Sequence, residues 1–244
     1  MKILVACEES QAVCKAFREK GHEAYSCDII DCSGGHPEWH IKQDVLPLLN
    51  GNCKFTTMDG EKHKIEGKWD MIIAHPPCTY LTTCANRAYS LRCTPTEKVV
   101  ERYQKRDEAI RFFVSIANAD CEKIVVENPQ GYMNTHFRKP DQIIHPYYFA
   151  ESTEDKENYH QKKTCLWLKG VSPLVRSNDL PKPEPMYICK GEKSKGRHIG
   201  WCEGMRNIKG GQKERAKARS KTFPGIAKAM AEQWGAESGV KNND

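Results

Sequence analysis

Two short motifs in this sequence carry residue types that suit covalent catalysis. Cys78 follows a pair of prolines, and Glu127 precedes the pair Asn128-Pro129. A cysteine thiolate can attack an electron-poor carbon, and a nearby carboxyl group can supply the proton that neutralises the product of the attack. The two motifs therefore predict a nucleophile, Cys78, and its acid partner, Glu127.

Each motif follows a segment that reads as a buried strand. Residues 69–74 and residues 123–127 are short apolar runs. Between them, residues 96–117 have the length and periodicity of an amphipathic helix, with Val100 and Tyr103 among the residues of its predicted inner face. Because ligands bind outside the carboxyl ends of the strands of a parallel sheet, we expect the two motifs to converge on one pocket.

The rest of the chain supplies further elements of an α/β fold. Residues 2–7 predict a strand, residues 10–20 a helix and residues 24–27 a second strand, which together form the unit from which parallel sheets are built. We also expect a hairpin within residues 51–68, a strand at 164–169 and a final helix at 224–234. The fold class is therefore predicted to be α/β.

Acidic residues stand at the ends of the predicted strands near the N-terminus. Glu8 and Asp28 follow the first two strands, and Asp44 follows a weaker strand or loop at residues 40–45. A carboxylate at such a position needs a hydrogen-bonding partner, and several together are hard to explain as packing. We expect these residues to line a ligand site.

Length and composition limit the class of protein. The chain of 244 residues can bury one sizeable core, and its 39% hydrophobic and 29% charged residues suit a globular domain rather than a disordered chain. The apolar run at the N-terminus is far shorter than a signal peptide or a membrane span, so we expect a cytoplasmic protein with no membrane partner. The twelve cysteines are then expected to be thiols.

A basic segment near the C-terminus has the composition of a phosphate-binding surface. Between Lys190 and Lys221, only three glutamates oppose a larger set of cations: Lys193, Lys195, Arg197, Arg206, Lys209, Lys213, Arg215, Lys217 and Arg219. Proline, glycine and lysine make residues 173–211 poor in predicted regular structure. We therefore divide the chain into a catalytic domain at 1–171 and 218–236, a small basic recognition lobe at 172–217 and a flexible tail at 237–244.

We expect no metal site in this segment. Cys189, His198 and Cys202 carry possible zinc ligands, but the pair of closely spaced cysteines typical of zinc sites is absent from the sequence.

The two motifs resemble those of a known family. Pro76-Pro77-Cys78 and Glu127-Asn128-Pro129 are similar, in the same order, to the Pro-Cys and Glu-Asn motifs of DNA cytosine-5 methyltransferases. Gln161-Lys162-Lys163 resembles the basic motif that helps to hold the flipped cytosine, and Lys221-Thr222-Phe223-Pro224 resembles the C-terminal cofactor motif. The resemblance covers nearly the whole chain. It implies a Rossmann-like S-adenosylmethionine-dependent methyltransferase fold with a small irregular recognition lobe.

The resemblance also implies roles for individual residues. Cys78 would attack carbon 6 of cytosine, with Glu127 and Lys163 as the other catalytic residues. Asp28 would hold the ribose hydroxyls of S-adenosylmethionine, Asp44 would accept a hydrogen bond from the adenine amino group, and the loop from Ala6 to Ser10 would pass beneath the methionine moiety. The full set of expected cofactor contacts is Ala6, Glu8, Ser10, Asp28, Ile29, Asp44, Pro76 and Thr222. The expected substrate contacts are Pro77, Asn128 and Gln161, with Arg197 and Arg206 from the basic lobe.

The chain departs from the family pattern in two places. The family opens on a glycine-rich motif where this sequence has Ala6 to Gln11, and it usually has glutamine where this sequence has Thr79. Three functions stay open: a DNA cytosine-5 methyltransferase, a methylase of a free pyrimidine nucleotide, and a non-catalytic DNA-binding relative. For the first, we expect a monomer acting on a cytosine flipped out of double-stranded DNA. Its short lobe would suit a phage or mobile-element enzyme in a bacterial or phage-infected cell.

Overall fold

A computed structural model describes residues 1–185, 187–192, 195–196, 198–199 and 220–236. Its strands are β1 (Lys2–Ala6), β2 (Glu23–Asp28), β3 (His40–Lys42), β4 (Cys53–Thr56), β5 (Lys62–Ile65), β6 (Met71–Ala74), β7 (Lys123–Pro129), β8 (Gln142–Ile144), β9 (Thr164–Lys169), β10 (Tyr187–Ile188) and β11 (His198–Ile199). Its α-helices are α1 (Ala12–Glu19), α2 (Thr96–Ala117), α3 (Met133–His136) and α4 (Pro224–Ala236). Short 3₁₀ helices occupy Pro37–Trp39, Leu46–Leu48, Thr83–Tyr89 and Pro146–Phe149.

A seven-stranded sheet forms the centre of the fold, in the order β3-β2-β1-β6-β7-β9-β8. The first five of these strands are parallel, whereas β9 runs antiparallel to both β7 and β8. The predicted α/β class is confirmed, and the mostly parallel sheet is compatible with a Rossmann-like fold. The expected hairpin is also present, as the separate antiparallel pair β4 and β5.

Both faces of the sheet are covered, which explains why its central strands are apolar throughout. One face packs against α2, with Phe113 and Ile116 fully buried. The other packs against α1 and α4, with Phe17 and Trp234 in its core. Strands that are buried on both faces read as continuous apolar runs rather than alternating ones, and β6 is such a run.

The inner face of α2 differs from the prediction at two residues. Val100 is 51% exposed and Tyr103 is 49% exposed, whereas Arg106 is buried. Arg106 is accommodated because its guanidinium lies 3.5 Å from the centre of the Tyr89 ring and 4.6 Å from that of Tyr132. Such cation–π contacts compensate a buried arginine for part of its lost hydration.

The unit β1-α1-β2 is held together at its carboxyl edge by a buried acid. The carboxylate of Glu8 accepts hydrogen bonds from the backbone N–H groups of Val13, at 2.6 Å, and Cys14, at 3.1 Å. These N–H groups lie in the first turn of α1, where they lack partners within the helix. Burial raises the pKa of this carboxyl, while the two N–H groups and the dipole of the helix N-terminus favour its ionised form.

No helix within the described ranges is both long and apolar enough to cross a membrane.

Candidate active site

The carboxyl ends of β1, β2, β6 and β7 meet at one edge of the sheet. In the sheet register Ala6 lies beside Cys27 and Ala74, and Ala74 lies beside Val126. Glu8, Asp28, the segment 75–78 and the segment 127–129 follow or end these strands, so the topology brings both motifs and two of the acids to the same edge.

The segment that carries Cys78 is fixed by backbone hydrogen bonds. The N–H of His75 donates to the carbonyl of Ala6 at 2.9 Å and so extends the pairing with β1. The carbonyl of Cys78 accepts from the N–H groups of Leu81 and Thr82, both at 3.0 Å, which closes a tight turn. The thiol of Cys78 is partly exposed. This arrangement places a partly exposed thiol on a turn that is fixed by backbone hydrogen bonds.

The two motifs are also joined directly. The side-chain amide of Asn128 donates to the carbonyl of Pro76 at 2.7 Å, and Asn128 is only 2% exposed. Asn128 was predicted to contact the substrate, but this amide hydrogen is used to hold the Cys78 segment. Pro76 is buried and Pro77 is exposed at the same turn. The separation between Cys78 and Glu127 is therefore set by a short, buried connection.

The residues after Cys78 are anchored to the turn that follows β7. The N–H of Tyr132 donates to the carbonyl of Leu81 at 2.6 Å, and Thr82 forms an isolated bridge with Gly131. The carbonyl of Tyr80 accepts from Nε of Arg106 at 3.1 Å and from the hydroxyl of Tyr89 at 3.0 Å.

The backbone of Leu81 approaches residue 131 so closely that only glycine fits there. A Cβ at position 131 would lie 2.1 Å from the carbonyl oxygen of Leu81, and backbone must move to relieve the contact. We expect Gly131→Ala to lower the free energy of unfolding by about 1–3 kcal/mol, as overpacking does. Denaturant unfolding measures this, with Gln130→Ala at the exposed neighbouring position as the control. Equal midpoints for the two variants would refute the steric argument.

His75 and Glu127 form a buried ion pair. Nδ1 of His75 lies 3.0 Å from Oε2 of Glu127, and the two side chains are 7% and 12% exposed. Burial opposes the ionised form of Glu127, but the hydrogen bond with His75 and the positive charges of Lys162 and His75 hold the pKa of this carboxyl below its usual range. Burial likewise opposes the charged form of His75, yet Glu127 and the nearby Glu8 raise the pKa of its imidazole.

The basic motif before β9 reaches this pair through Lys162. The charge of Lys162 acts on both Glu127 and His75, whereas that of Lys163, the residue predicted to be catalytic, acts on His145 and Cys165. The amide of Gln161 donates to the carbonyl of Pro183. Antiparallel pairing explains the approach, because Pro129 at the end of β7 lies beside Thr164 at the start of β9.

A second part of the edge has the properties of a ligand site. Asp28 ends β2 and is half-buried, and burial raises the pKa of its carboxyl. Ile29, which follows it, is 73% exposed. Glu9 is 9% exposed, and neither of its carboxylate oxygens has a hydrogen-bond partner among the residues that the structure describes. A buried carboxylate without a partner is costly, so this part of the edge suits a ligand that carries donor groups.

Among the remaining predicted cofactor contacts, Ala6, Glu8, Ser10 and Asp44 lie at or after the ends of β1 and β3, whereas Thr222 precedes α4. Asp44 is exposed, and its carboxylate accepts from the N–H of Leu46 at 3.0 Å. Burial raises the pKa of the Cys7 thiol, and the nearby charges of Asp28 and Asp44 raise it further. Ala6 is fully buried and can offer only backbone, while Ser10 and Thr222 are partly exposed. Glu8 is occupied in holding α1.

The loop after β1 adopts its shape without glycine. Cys7 and Gln11 have positive φ angles of 60° and 59°, a conformation that normally favours glycine. The fully buried Gln11 compensates by donating to the carbonyl of His36 at 2.8 Å and accepting from the N–H of His36 at 3.1 Å. A Cβ on Gly34 would lie 2.5 Å from Cβ of Gln11, so glycine is required on the opposing segment instead.

His75 and Glu9 were missed as functional candidates. The position of His75 directly before Pro76 was a signal that it would lie in the site. Nothing in the sequence distinguishes Glu9 from the solvated glutamates, because its burial follows from the path of residues 29–36 over the loop. The N–H of Ser33 donates to the carbonyl of Glu9 at 2.8 Å and fixes that path.

Several predicted features cannot be placed. Arg197, Arg206, most of the recognition lobe beyond residue 192 and the tail at 237–244 lie outside the described residues. In the part that is described, no three side chains of His, Cys, Asp or Glu cluster in a way that could hold a metal ion.

Comparison with known proteins gave no matching family model and no matching curated protein.

Proposed function

We propose that this protein transfers a methyl group from S-adenosylmethionine to carbon 5 of a cytosine in DNA, with Cys78 as the covalent nucleophile. The observation that supports this most is the joint placement of a partly exposed thiol and a buried carboxylate. Cys78 follows β6, Glu127 lies on the neighbouring strand β7, and the hydrogen bond from Asn128 to Pro76 ties the two segments together. This pairing suits nucleophilic addition to a ring that must be protonated as it is attacked.

The addition step uses both residues. The Cys78 thiolate forms a bond to carbon 6 of the pyrimidine, and the ring electrons shift so that nitrogen 3 takes a proton delivered through Glu127. Carbon 5 then has the electron density to accept a methyl group. Loss of the carbon 5 proton to water restores the ring double bond, expels the Cys78 thiolate, and returns the proton on nitrogen 3 to Glu127.

The residues at the ends of β1 and β2 fit the proposed cofactor. Glu9 and Asp28 offer carboxylates to hydroxyl or ammonium groups, and the exposed Ile29 offers an apolar surface to an adenine ring. Bound here, S-adenosylmethionine would supply the electrophilic methyl group. The carboxylates would hold the cofactor at the same edge of the sheet as the Cys78 segment.

The proposed substrate is a cytosine flipped out of double-stranded DNA. Attack at carbon 6 requires access to the face of the ring, which base stacking denies. The basic composition of residues 190–221 supports a contact with DNA phosphates. The chemistry at Cys78 would be the same on a free pyrimidine nucleotide, which is the alternative substrate.

The test is methyl transfer from labelled S-adenosylmethionine into mixed-sequence duplex DNA, followed by digestion to nucleosides. We expect the label in 5-methylcytosine, with a transfer rate that falls as salt rises. Label in another base would refute the cysteine mechanism. Transfer to free cytidine nucleotides but not to DNA would support the nucleotide methylase, and binding to DNA without any transfer would support a non-catalytic protein.

The Glu9→Gln variant tests whether the Glu9 carboxylate binds the cofactor or only contributes to the stability of the fold. If the Glu9 carboxylate accepts hydrogen bonds from the cofactor, the variant should bind S-adenosylmethionine about 10- to 100-fold more weakly, because charged hydrogen bonds contribute about 1.5–3 kcal/mol. The protein without cofactor should be no less stable, since the change removes an unpaired buried charge. Calorimetric binding and thermal unfolding measure the two effects. Unchanged affinity, with the exposed Glu19→Gln as control, would remove Glu9 from the site.

A further inference from the structure

We propose that His75 holds the proton that Glu127 delivers, so that the acid of the active site is the pair and not a lone glutamate. The inference rests on the proposed function, because it assigns the source of the proton in that reaction. His75 acts through Glu127 and is therefore a positioning residue that also carries charge.

The geometry of the pair favours proton sharing. His75 directly follows β6 and Glu127 lies on the adjacent parallel strand β7, at the same level, as the register of Ala74 with Val126 requires. Their side chains extend to the same face of the sheet, and the 3.0 Å separation of Nδ1 and Oε2 is a hydrogen-bond distance. Because both side chains are largely buried, water competes little for the proton between them.

The surrounding charges favour a proton on His75 when the site is at rest. The groups that act on this imidazole are Glu127 from β7, Glu8 from the loop after β1, and Lys162 from the segment before β9. Burial disfavours the imidazolium, as does the lysine, but the two carboxylates outweigh both and raise the pKa of the ring. Lys162 and His75 both favour the ionised form of Glu127. The resting pair is therefore an imidazolium beside a carboxylate, and Glu127 by itself has no proton to give.

The second ring nitrogen of His75, Nε2, has no hydrogen bond within the described residues that fixes the charge of the ring. Nε2 of His75 is buried and has no hydrogen-bond partner in the described part of the chain. By contrast, the buried His40 is fixed at both nitrogens, by Ser26 at 2.8 Å and by the carbonyl of Ile30 at 2.9 Å. No bond at Nε2 of His75 resists a change of charge, so Glu127 is the hydrogen-bonding group that controls the proton on this ring.

The step balances without any further reagent. As the Cys78 sulfur bonds to carbon 6, nitrogen 3 of the ring takes a proton from Glu127, and Glu127 takes the Nδ1 proton of His75. The pair passes from imidazolium and carboxylate to neutral imidazole and carboxylate, with the positive charge moved to the substrate complex. When Cys78 is expelled, the proton on nitrogen 3 returns by the same route.

The first test reads the proton on His75 directly. In protein labelled with ¹⁵N-histidine, the resonances of His75 are those lost in His75→Gln. At pH 7 we expect both ring nitrogens of His75 to be protonated, while His145, whose pKa is lowered by burial and by Lys163 and Lys182, should be neutral. In Glu127→Gln, the His75 ring should lose its proton at a lower pH than in the wild type. A neutral His75 ring at pH 7 in the wild type would overturn the inference.

The second test is the pH dependence of single-turnover methyl transfer. Wild-type protein should slow at alkaline pH as His75 loses its proton. His75→Gln, which can donate a hydrogen bond but cannot hold a charge, should lose this alkaline fall and be on the order of 10²-fold slower at its best pH. A purely structural role would lower the rate equally at every pH, and circular dichroism checks that the variant is folded.

The two tests separate this inference from the proposed function. Methyl transfer by wild-type protein with a neutral His75 would retain the function and reject the proton source. A doubly protonated His75 in a protein that transfers no methyl group would reject the function and retain the charged pair.

Discussion

Replacing Cys78 with alanine should abolish methyl transfer, with a loss on the order of 10⁴-fold or more, as expected when the nucleophile of a covalent mechanism is removed. The loss should appear in the transfer step, because the turn that carries residue 78 is held by backbone hydrogen bonds that alanine keeps. Single-turnover transfer into duplex DNA measures the rate. Binding of S-adenosylmethionine should be unchanged.

A covalent adduct gives an independent measure of the same prediction. DNA that contains 5-fluorocytosine has no proton to lose from carbon 5, so the bond between sulfur and carbon 6 should persist and be visible on a denaturing gel. The adduct should form with wild-type protein and with Cys93→Ala, an exposed cysteine nearby in sequence, and not with Cys78→Ala. An adduct with Cys78→Ala would assign the nucleophile to another residue.

Glu127→Gln should slow methyl transfer by about 10²- to 10⁴-fold, the usual contribution of a positioned acid. Glutamine keeps the size of the side chain, so the variant should fold. Truncation in Glu127→Ala should instead cost about 3–5 kcal/mol of stability at neutral pH, because it leaves a buried imidazole without its partner. The exposed Glu122→Gln, just before the same strand, is the control for both measurements.

The stability difference between wild type and Glu127→Gln should depend on pH. Pairing lowers the pKa of Glu127, so its contribution is present above the pKa of an unfolded glutamate and is lost as pH falls through the lowered value. Pairing raises the pKa of His75, so that contribution is lost as pH rises through the raised value. The difference should be largest around neutral pH. Denaturant unfolding across the pH range measures it, and a difference that is constant with pH would contradict the ion pair.

Periodicity and strand-end position predicted the scaffold and the placement of the Cys78 segment and the Glu127 segment at one edge of the sheet. Apolar runs such as residues 71–74 specify buried strands, and parallel strands must end at one edge, so both inferences follow from local pattern and topology. The burial of Arg106 and the exposure of Tyr103 on α2 could not be predicted from periodicity. The buried position of Arg106 depends on the rings of Tyr89 and Tyr132, which come from two distant loops.

The charge state of Glu127 could not be predicted from the sequence either, because it depends on residues that are distant in the chain. The charge state of Glu127 is influenced by His75, which lies 52 residues away in the chain, and by Lys162, which lies just before the antiparallel strand β9. A motif identifies residue types at a fixed spacing, but it does not state which of two adjacent lysines approaches a carboxylate. That choice depends on the register of β9 against β7.

The shape of the loop after β1 has a consequence for recognising related proteins. Two residues with side chains, Cys7 and Gln11, take the left-handed conformation, and the amide of Gln11 secures them to the backbone of the segment that contains Gly34. A glycine-rich signature would overlook a loop of this kind. Chains that build it in the same way should instead share a glutamine before the first helix and a glycine about two dozen residues later, a pair of positions that can be sought in any sequence.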